Sequence, residues 1–221
     1  MRTRIEINRP WLDVVLVLGI AVSVIILTIQ LWSVPWGGYD YGYEPPQPIA
    51  FSHRLHSGDM KIGCLYCHPA TRTAALAGVL SPSQCMNCHR FVQARLGAVQ
   101  EEERTAQAEG RPPQRQFSVE IAKIYAALGL NQDQERVGPQ EPIRWIRVHR
   151  LPDFVRFHHG SHWASGVTCQ ECHGVVEQME RVRQVQSLSM GWCVQCHRDW
   201  QGRLQGDRRL QPSLDCSGCH Y

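Results

Sequence analysis

Residues 157–173 read FHHGSHWASGVTCQECH and contain the two patterns that decide the fold of this chain. The first is a pair of histidines three residues apart, His159 and His162. The second is a CxxCH sequence, which occurs five times in the 221 residues and uses all ten cysteines. Motifs 1 to 5 are, in order, Cys64-x-x-Cys67-His68, Cys85-x-x-Cys88-His89, Cys169-x-x-Cys172-His173, Cys193-x-x-Cys196-His197 and Cys216-x-x-Cys219-His220.

A CxxCH sequence is typical of covalent haem attachment. The two thiols add to the haem vinyl groups, and the histidine becomes the proximal ligand of the iron. Zinc ribbons, thioredoxin-like sites and disulfide frameworks also use cysteine pairs, but none of them requires that histidine. Because only 11 of 221 residues are histidine, five such placements by chance are improbable. The sequence therefore predicts five covalently attached haem c groups.

Chain length constrains the fold. Residues 33–221 leave about 38 residues for each haem, too few for an ordinary apolar core. We predict a mainly α-helical and irregular multihaem cytochrome c with little regular secondary structure, in which the haems are the core. The formal charge of +3 omits the haem propionates, and no nucleic-acid motif is present. Because thioether attachment of haem takes place outside the bacterial cytoplasm, the haem-bearing part should be periplasmic or exoplasmic.

The N-terminal region predicts a single membrane span. Residues 14–29, VVLVLGIAVSVIILTI, contain no charge, and with their flanks they approach the ~20 residues that cross a bilayer. We expect a transmembrane signal anchor at 11–32, preceded by a cytoplasmic tail at 1–10. A cleaved signal peptide would need a small-residue cleavage site, and none is convincing. Arg2, Arg4 and Arg9 precede the span, which predicts a cytoplasmic N-terminus by the positive-inside rule. Trp11, Trp32 and Trp36 lie where aromatic residues at the membrane interfaces are expected.

The rest of the chain divides at an internal repeat. Residues 33–50 are rich in Pro, Gly and Tyr and predict an extended linker. The pattern F-x-H-x-x-H then opens a two-haem unit, 51–90, and recurs in a three-haem unit, 149–221. The insertion between them, 91–148, has no Cys or His and predicts helices interrupted by the Pro-bearing GRPPQ. It is either a docking surface or a solvated helical spacer.

Six histidines remain as candidate distal ligands of the five irons. Two pairs precede haem motifs, and each pair can present two imidazoles from one helical turn towards two haems. These predicted ligands are His53, His56, His159 and His162. The fifth ligand is His149 or Met190, or that iron is open; a methionine would raise the potential of its haem. His158, beside His159, is not expected to be a ligand.

The F-x-H-x-x-H…CxxCH unit resembles the cytochrome c3/c7 class of multihaem cytochromes. The membrane helix, the five motifs, VHRLPDFVRFHHGSHWASGVTCQECHG and MGWCVQCHRD together resemble the pentahaem subunit of bacterial alternative complex III. The resemblance covers residues 11–221 and is least specific in the insertion. A related quinone reductase complex has a six-haem counterpart, and the five motifs count against that member.

The resemblance implies a menaquinol-oxidising complex in the cytoplasmic membrane. Its expected partners are a polytopic quinol-binding membrane subunit, an iron–sulfur molybdoenzyme-like subunit, a mono-haem cytochrome c and membrane lipid. This chain would carry electrons rather than catalyse alone, because one membrane helix without an ionisable residue in its centre cannot enclose a quinone. The last motif has little chain beyond it, so we expect its haem near a partner or at the electron exit.

Two other functions remain open from the sequence. One is a self-sufficient, membrane-anchored quinol dehydrogenase that feeds a periplasmic reductase. That class commonly has a methionine close after its first motif, whereas Pro69-Ala70-Thr71 follows here. The other is an enzyme that reduces a small nitrogen or sulfur oxide at an open iron. The histidines are numerous enough to close every iron, which disfavours this second alternative.

Overall fold

The computed structural model describes residues 10–33 and 40–221. Within these ranges the chain is mainly helical and irregular, with a single two-stranded sheet, as predicted. The helices are α1 (Pro10–Ser33), α2 (Cys64–Cys67), α3 (Pro82–His89), α4 (Leu96–Glu109), α5 (Val119–Ala127), α6 (His159–Ala164), α7 (Cys169–His173), α8 (Met190–Asp199) and α9 (Cys216–Cys219). A π-helical turn spans Arg54–Asp59, 3-10 turns span Pro69–Arg72 and Val176–Gln178, and β1 (Leu204–Gln205) pairs antiparallel with β2 (Arg208–Arg209).

Helix α1 has the length and composition of a membrane span. Its segment Pro10–Trp32 has a mean hydropathy of 2.8, and none of it is buried inside the protein. The hydroxyls of Ser23 and Thr28 donate to the carbonyls of Gly19 and Val24, one turn earlier. These bonds leave no hydroxyl unpaired in the apolar part of a bilayer. The predictions that rest on Arg2, Arg4, Arg9 and Trp36 concern residues outside the described ranges.

Apolar burial is sparse outside α1. Only nine hydrophobic side chains in the described ranges are buried, namely Ile49, Met86, Ala106, Ile124, Tyr125, Leu128, Val148, Met179 and Leu210. Most of them form one cluster, in which Ile124, Tyr125 and Leu128 of the insertion pack against Met86 of motif 2. The insertion therefore lies on the two-haem unit, a placement that its polar composition did not indicate.

The motif helices are short and begin at defined positions. Helix α3 starts with Pro82 at its first turn, after Ser81, whose hydroxyl accepts a hydrogen bond from the Ser83 amide. Helix α8 is capped in the same way by Ser189. One helical turn puts the two cysteines of a CxxCH sequence on one face, with the histidine directly after them. Side-chain caps thus define where the helices of motifs 2 and 4 begin, whereas α2, α7 and α9 have no side-chain cap.

Candidate haem-binding sites

The two histidine pairs have the same geometry although one lies on a π-helical turn and the other on α6. The ring of Phe51 is perpendicular to His53 (4.9 Å, 85°) and stacked on His56 (4.3 Å, 23°). The second unit repeats this arrangement around Phe157, with 4.7 Å and 89° to His159, and 4.5 Å and 27° to His162. The phenylalanine fixes the two imidazoles of each pair in different directions.

Three of the predicted distal histidines each lie opposite the proximal histidine of a motif. The ring centroids are 6.1 Å apart for His56 and His89, and 6.4 Å for His159 and His173. They are 6.1 Å apart for His162 and His197. Imidazole nitrogens bind metals at about 2 Å and lie about 1 Å from the ring centre, so two axial rings on one metal are about 6 Å apart. The spacing fits an iron between each pair of rings.

Hydrogen bonds at the opposite ring nitrogen support the same assignment. The Nδ1 atom of His89 lies 2.8 Å from the Val92 carbonyl oxygen, and Nδ1 of His197 lies 2.6 Å from that of Ser213. A histidine that donates from Nδ1 to a carbonyl keeps Nε2 free and correctly oriented for a metal. The same type of contact occurs at His56, His68, His159 and His162.

Burial keeps several of these imidazoles neutral, the form that binds a metal. Burial, with smaller contributions from His68 and His56, lowers the pKa of His53 to about 4. Burial, followed by His149 and His159, lowers the pKa of His173 to about 3. His53 Nδ1 is buried without a hydrogen-bond partner among the described residues.

The two candidates for the fifth ligand lie in different places. His149 is edge-on to His173, with ring centroids 4.4 Å apart, which leaves no space for a haem between them. Its Nε2 is buried and unpartnered within the described part of the chain. Met190 begins α8 and is 66% exposed. The ring contact described for His220 is with Phe154, at 5.7 Å.

His158 has a role that the sequence did not reveal. Its side chain caps α6, because Nδ1 accepts a hydrogen bond from the Ser161 amide at 3.2 Å. A nitrogen used in this way cannot also donate to a carbonyl, so His158 lacks the Nδ1 contact found at five of the six opposed histidines. All ten cysteines are half-buried or exposed, so a haem can reach each of them.

Comparison with known proteins agrees with this geometry. Residues 155–221 match the family described as cytochrome c7 and related cytochrome c. This region is a cytochrome c7-like multihaem domain. It includes His159, His162 and motifs 3 to 5, and the family implies covalently bound haem c. The chain is also 26% identical over 208 residues to the "Menaquinone reductase, multiheme cytochrome c subunit" of Nitratidesulfovibrio vulgaris strain Hildenborough, with 89% of this chain and 77% of that protein covered.

Proposed function

We propose that this chain is the electron-carrying subunit of a membrane quinol oxidoreductase of the alternative complex III type, with one haem c at each of its five motifs. The observation that supports this most directly is the set of opposed imidazole rings, His56 with His89, His159 with His173 and His162 with His197. An iron held between the two rings of such a pair would keep no coordination position for a substrate, which suits electron transfer.

The bound haems would supply one-electron redox chemistry, and the residues of the chain would set their positions and potentials. The carbonyls of Val92 and Ser213 orient the proximal imidazoles of motifs 2 and 4 through Nδ1. His53 is the fourth distal ligand by its equivalence with His159. Met190 is the better fifth ligand, because His149 already lies against His173. Helix α8, which begins at Met190, is joined to the segment before motif 5 by the contact of His197 with the Ser213 carbonyl.

Quinol chemistry would take place on a partner. Helix α1 is a single apolar helix, which cannot enclose a quinone by itself. The resemblance to alternative complex III implies the partners of the proposed complex: a polytopic quinol-binding subunit, an iron–sulfur molybdoenzyme-like subunit and a mono-haem cytochrome c. The haem-bearing region would lie on the periplasmic or exoplasmic side of the cytoplasmic membrane. Self-sufficient quinol dehydrogenation is the alternative, and it would require α1 to form a quinone site in a homo-oligomer or with lipid alone.

The opposite direction of electron flow is a second candidate, favoured by the match to a menaquinone reductase subunit. In that case a reduced periplasmic carrier would donate electrons and a membrane partner would reduce the quinone. The geometry of opposed imidazoles serves either direction. This chain has five motifs, which fits the pentahaem subunit of alternative complex III better than the six-haem counterpart in the quinone reductase complex.

The test is purification from native membranes in mild detergent, followed by subunit identification and two assays. Co-purification with multi-span subunits and an iron–sulfur protein, with quinol-dependent reduction of a c-type cytochrome, is the expected result. The same subunits with activity only from reduced cytochrome to quinone would replace quinol oxidation by quinone reduction. Recovery of the chain alone, with quinol oxidation, would overturn the proposal in favour of a self-sufficient dehydrogenase.

A further inference from the structure

The two haem-bearing units hold each other by reciprocal contacts. The π-helical turn Arg54–Asp59 of the first unit packs on the 3-10 turn Val176–Gln178, directly after motif 3. Helix α6 of the second unit packs on the 3-10 turn Pro69–Arg72, directly after motif 1. Each histidine-bearing turn therefore lies against the first motif of the other unit.

Equivalent backbone hydrogen bonds show that this arrangement is a pseudo-twofold. The amide of Arg54, three residues after Phe51, donates to the Met179 carbonyl at 2.9 Å. The amide of Gly160, three residues after Phe157, donates to the Ala74 carbonyl at 3.2 Å. Met179 and Ala74 each lie six residues after the histidine of the first motif in their unit. The same residue positions thus meet twice, and motifs 1 and 3 flank the pseudo-axis.

Side chains extend the contacts across this junction. The Nδ1 atom of His159, opposite motif 3, lies 2.7 Å from the Ala75 carbonyl oxygen, a few residues after motif 1. The guanidinium of Arg72 lies over the ring of Trp163 in α6, 5.0 Å from its centroid. On the other side of the pseudo-axis, Arg54 forms an ion pair with Glu180. Motif 1 is therefore the part of the two-haem unit nearest to motif 3.

The remaining motifs are joined within each unit. Asn87 of motif 2 donates to the Tyr66 hydroxyl of motif 1 at 3.1 Å. Motifs 3 and 4 share α6, whose His159 and His162 lie opposite His173 and His197. Motif 4 connects to motif 5 through Ser213, whose carbonyl contacts His197 and whose hydroxyl accepts a hydrogen bond from the Asp215 amide, one residue before motif 5.

We infer that the five sites form one path in the order motif 2, motif 1, motif 3, motif 4, motif 5, and that electrons cross between the two units at the motif 1–motif 3 pair. This order differs from the order in sequence, because the pseudo-twofold places the first motif of each unit at the centre. The path has two ends, motif 2 beneath the insertion and motif 5 beside Phe154. The inference rests on the proposed electron-carrying function.

Each step along the path moves a single electron. One site loses it as its neighbour gains it, and no covalent bond forms or breaks. A quinol donor, oxidised on the partner subunit, would supply two electrons and release two protons there, so two passages along the path balance one quinol. A one-electron acceptor such as a c-type cytochrome would be reduced once per passage.

The experiment is a cryo-EM or crystal structure of the purified, haem-loaded protein in its complex, with the irons assigned to motifs by their attached cysteines. We expect the irons of motifs 1 and 4 to be the two nearest to that of motif 3. We also expect the nearest iron to motif 2 to be that of motif 1. A motif 2 iron nearest to motif 3, or a motif 5 iron between two others, would overturn the order.

Flash photoreduction of detergent-purified variants adds a spectroscopic readout. Removing the terminal site with Cys216→Ala and Cys219→Ala should leave the other sites equilibrating in one fast phase. Removing a central site with Cys169→Ala and Cys172→Ala should separate them into two pools that no longer equilibrate on that timescale. Fast equilibration in both variants would contradict the crossing point. Iron positions decide the order even if the complex uses another donor, whereas subunit composition and quinol assays decide the proposed function.

Discussion

The two-haem unit, 51–90, and the three-haem unit, 149–221, share one arrangement of phenylalanine and histidine rings. They differ in the part of the chain that packs next to this arrangement. In both, a phenylalanine fixes two imidazoles three residues apart, at ring distances that agree within a few tenths of an ångström. The first unit is then covered by polypeptide, since α5 packs on α3 through the main apolar cluster. The second unit is instead extended by a further CxxCH motif.

This difference separates the features that both units share, the ring geometry and the amide contact, from those found in one unit only. Each histidine-bearing turn must keep its two imidazole rings in position and its amide hydrogen bond to the other unit. These features therefore recur, although the turn is π-helical in one unit and α-helical in the other. The contact between the two units does not involve the chain that follows motifs 2 and 4. An insertion at one end and an added motif at the other therefore change the two ends of the path without disturbing its centre.

The largest expected effect is the loss of cooperative folding in the absence of haem, and it tests whether both units need haem to fold. When the chain is produced without haem ligation, we expect no cooperative thermal or denaturant transition in residues 40–221. Nine buried hydrophobic side chains in the described ranges cannot offset the entropy of ordering a chain of this length. Circular dichroism and limited proteolysis would measure this.

The matched control is Cys216→Ala with Cys219→Ala, which removes only the motif outside the pseudo-twofold. This variant should keep the remaining haems and a cooperative transition. A cooperative transition in the haem-free chain would show that the polypeptide, rather than the haems, provides the core.

The second prediction tests whether the opposed histidines are equivalent in the two units. His56→Met and His162→Met should each convert one bis-histidine iron to histidine–methionine and raise one potential, by on the order of 0.1 V. Redox titration with EPR would measure the shift. His158→Ala, which removes only the cap of α6, should leave all potentials unchanged. A shift in one unit and none in the other would break the equivalence.

The sequence identified the candidate haem-binding residues but not their arrangement in space. CxxCH motifs and HxxH pairs are local, so their spacing alone identifies His159 and His162, which the structure brings opposite motifs 3 and 4. The contact of Arg54 with Met179 joins residues 125 positions apart. No local pattern encodes such a pairing, and the order of the motifs in space depends on it.

Two further features depend on contacts between distant parts of the chain. His149, in WIRVHRLPDF, was predicted as one of two candidates for the fifth ligand, and the fold places its ring against His173. The insertion is polar in composition, but the apolar positions of SVEIAKIYAALGL follow a helical period, and that period was the available signal that one face of α5 is buried.

The third prediction tests the reciprocal contact of the two units. A Cβ at Gly58 would clash with the Glu177 carbonyl oxygen, and one at Gly160 would lie 3.0 Å from the Arg72 carbonyl oxygen. We expect Gly58→Ala to lower the free energy of unfolding by about 1–3 kcal/mol, as for overpacked sites, and Gly160→Ala by less. Guanidinium titration of the haem-loaded protein would measure both.

The control for this pair is Gly97→Ala on the exposed side of α4. A Cβ there meets nothing within 4 Å, and alanine in a helix is more stable than glycine by about 0.5–1 kcal/mol. Equal effects at Gly58 and Gly97 would show that the turn after motif 3 moves freely away from the ligand turn, and the contact would then not hold the units together.

The smallest expected effect concerns helix α5 of the insertion, which packs on motif 2 and has no counterpart in the three-haem unit. The hydroxyl of Tyr125, 2% exposed, donates to the His89 carbonyl at 2.9 Å and accepts from Gln93 at 2.9 Å. Tyr125→Phe keeps the packed ring but leaves both groups without this partner, so we expect the free energy of unfolding to fall by about 1–2 kcal/mol.

The control is Tyr41→Phe, at a ring that is 74% exposed, which should not change the free energy of unfolding measurably. If His89 is the proximal ligand, as proposed, Tyr125→Phe should also alter the EPR signal of the motif 2 haem alone. An unchanged signal with the same loss of stability would mean that Tyr125 supports the insertion without positioning the ligand.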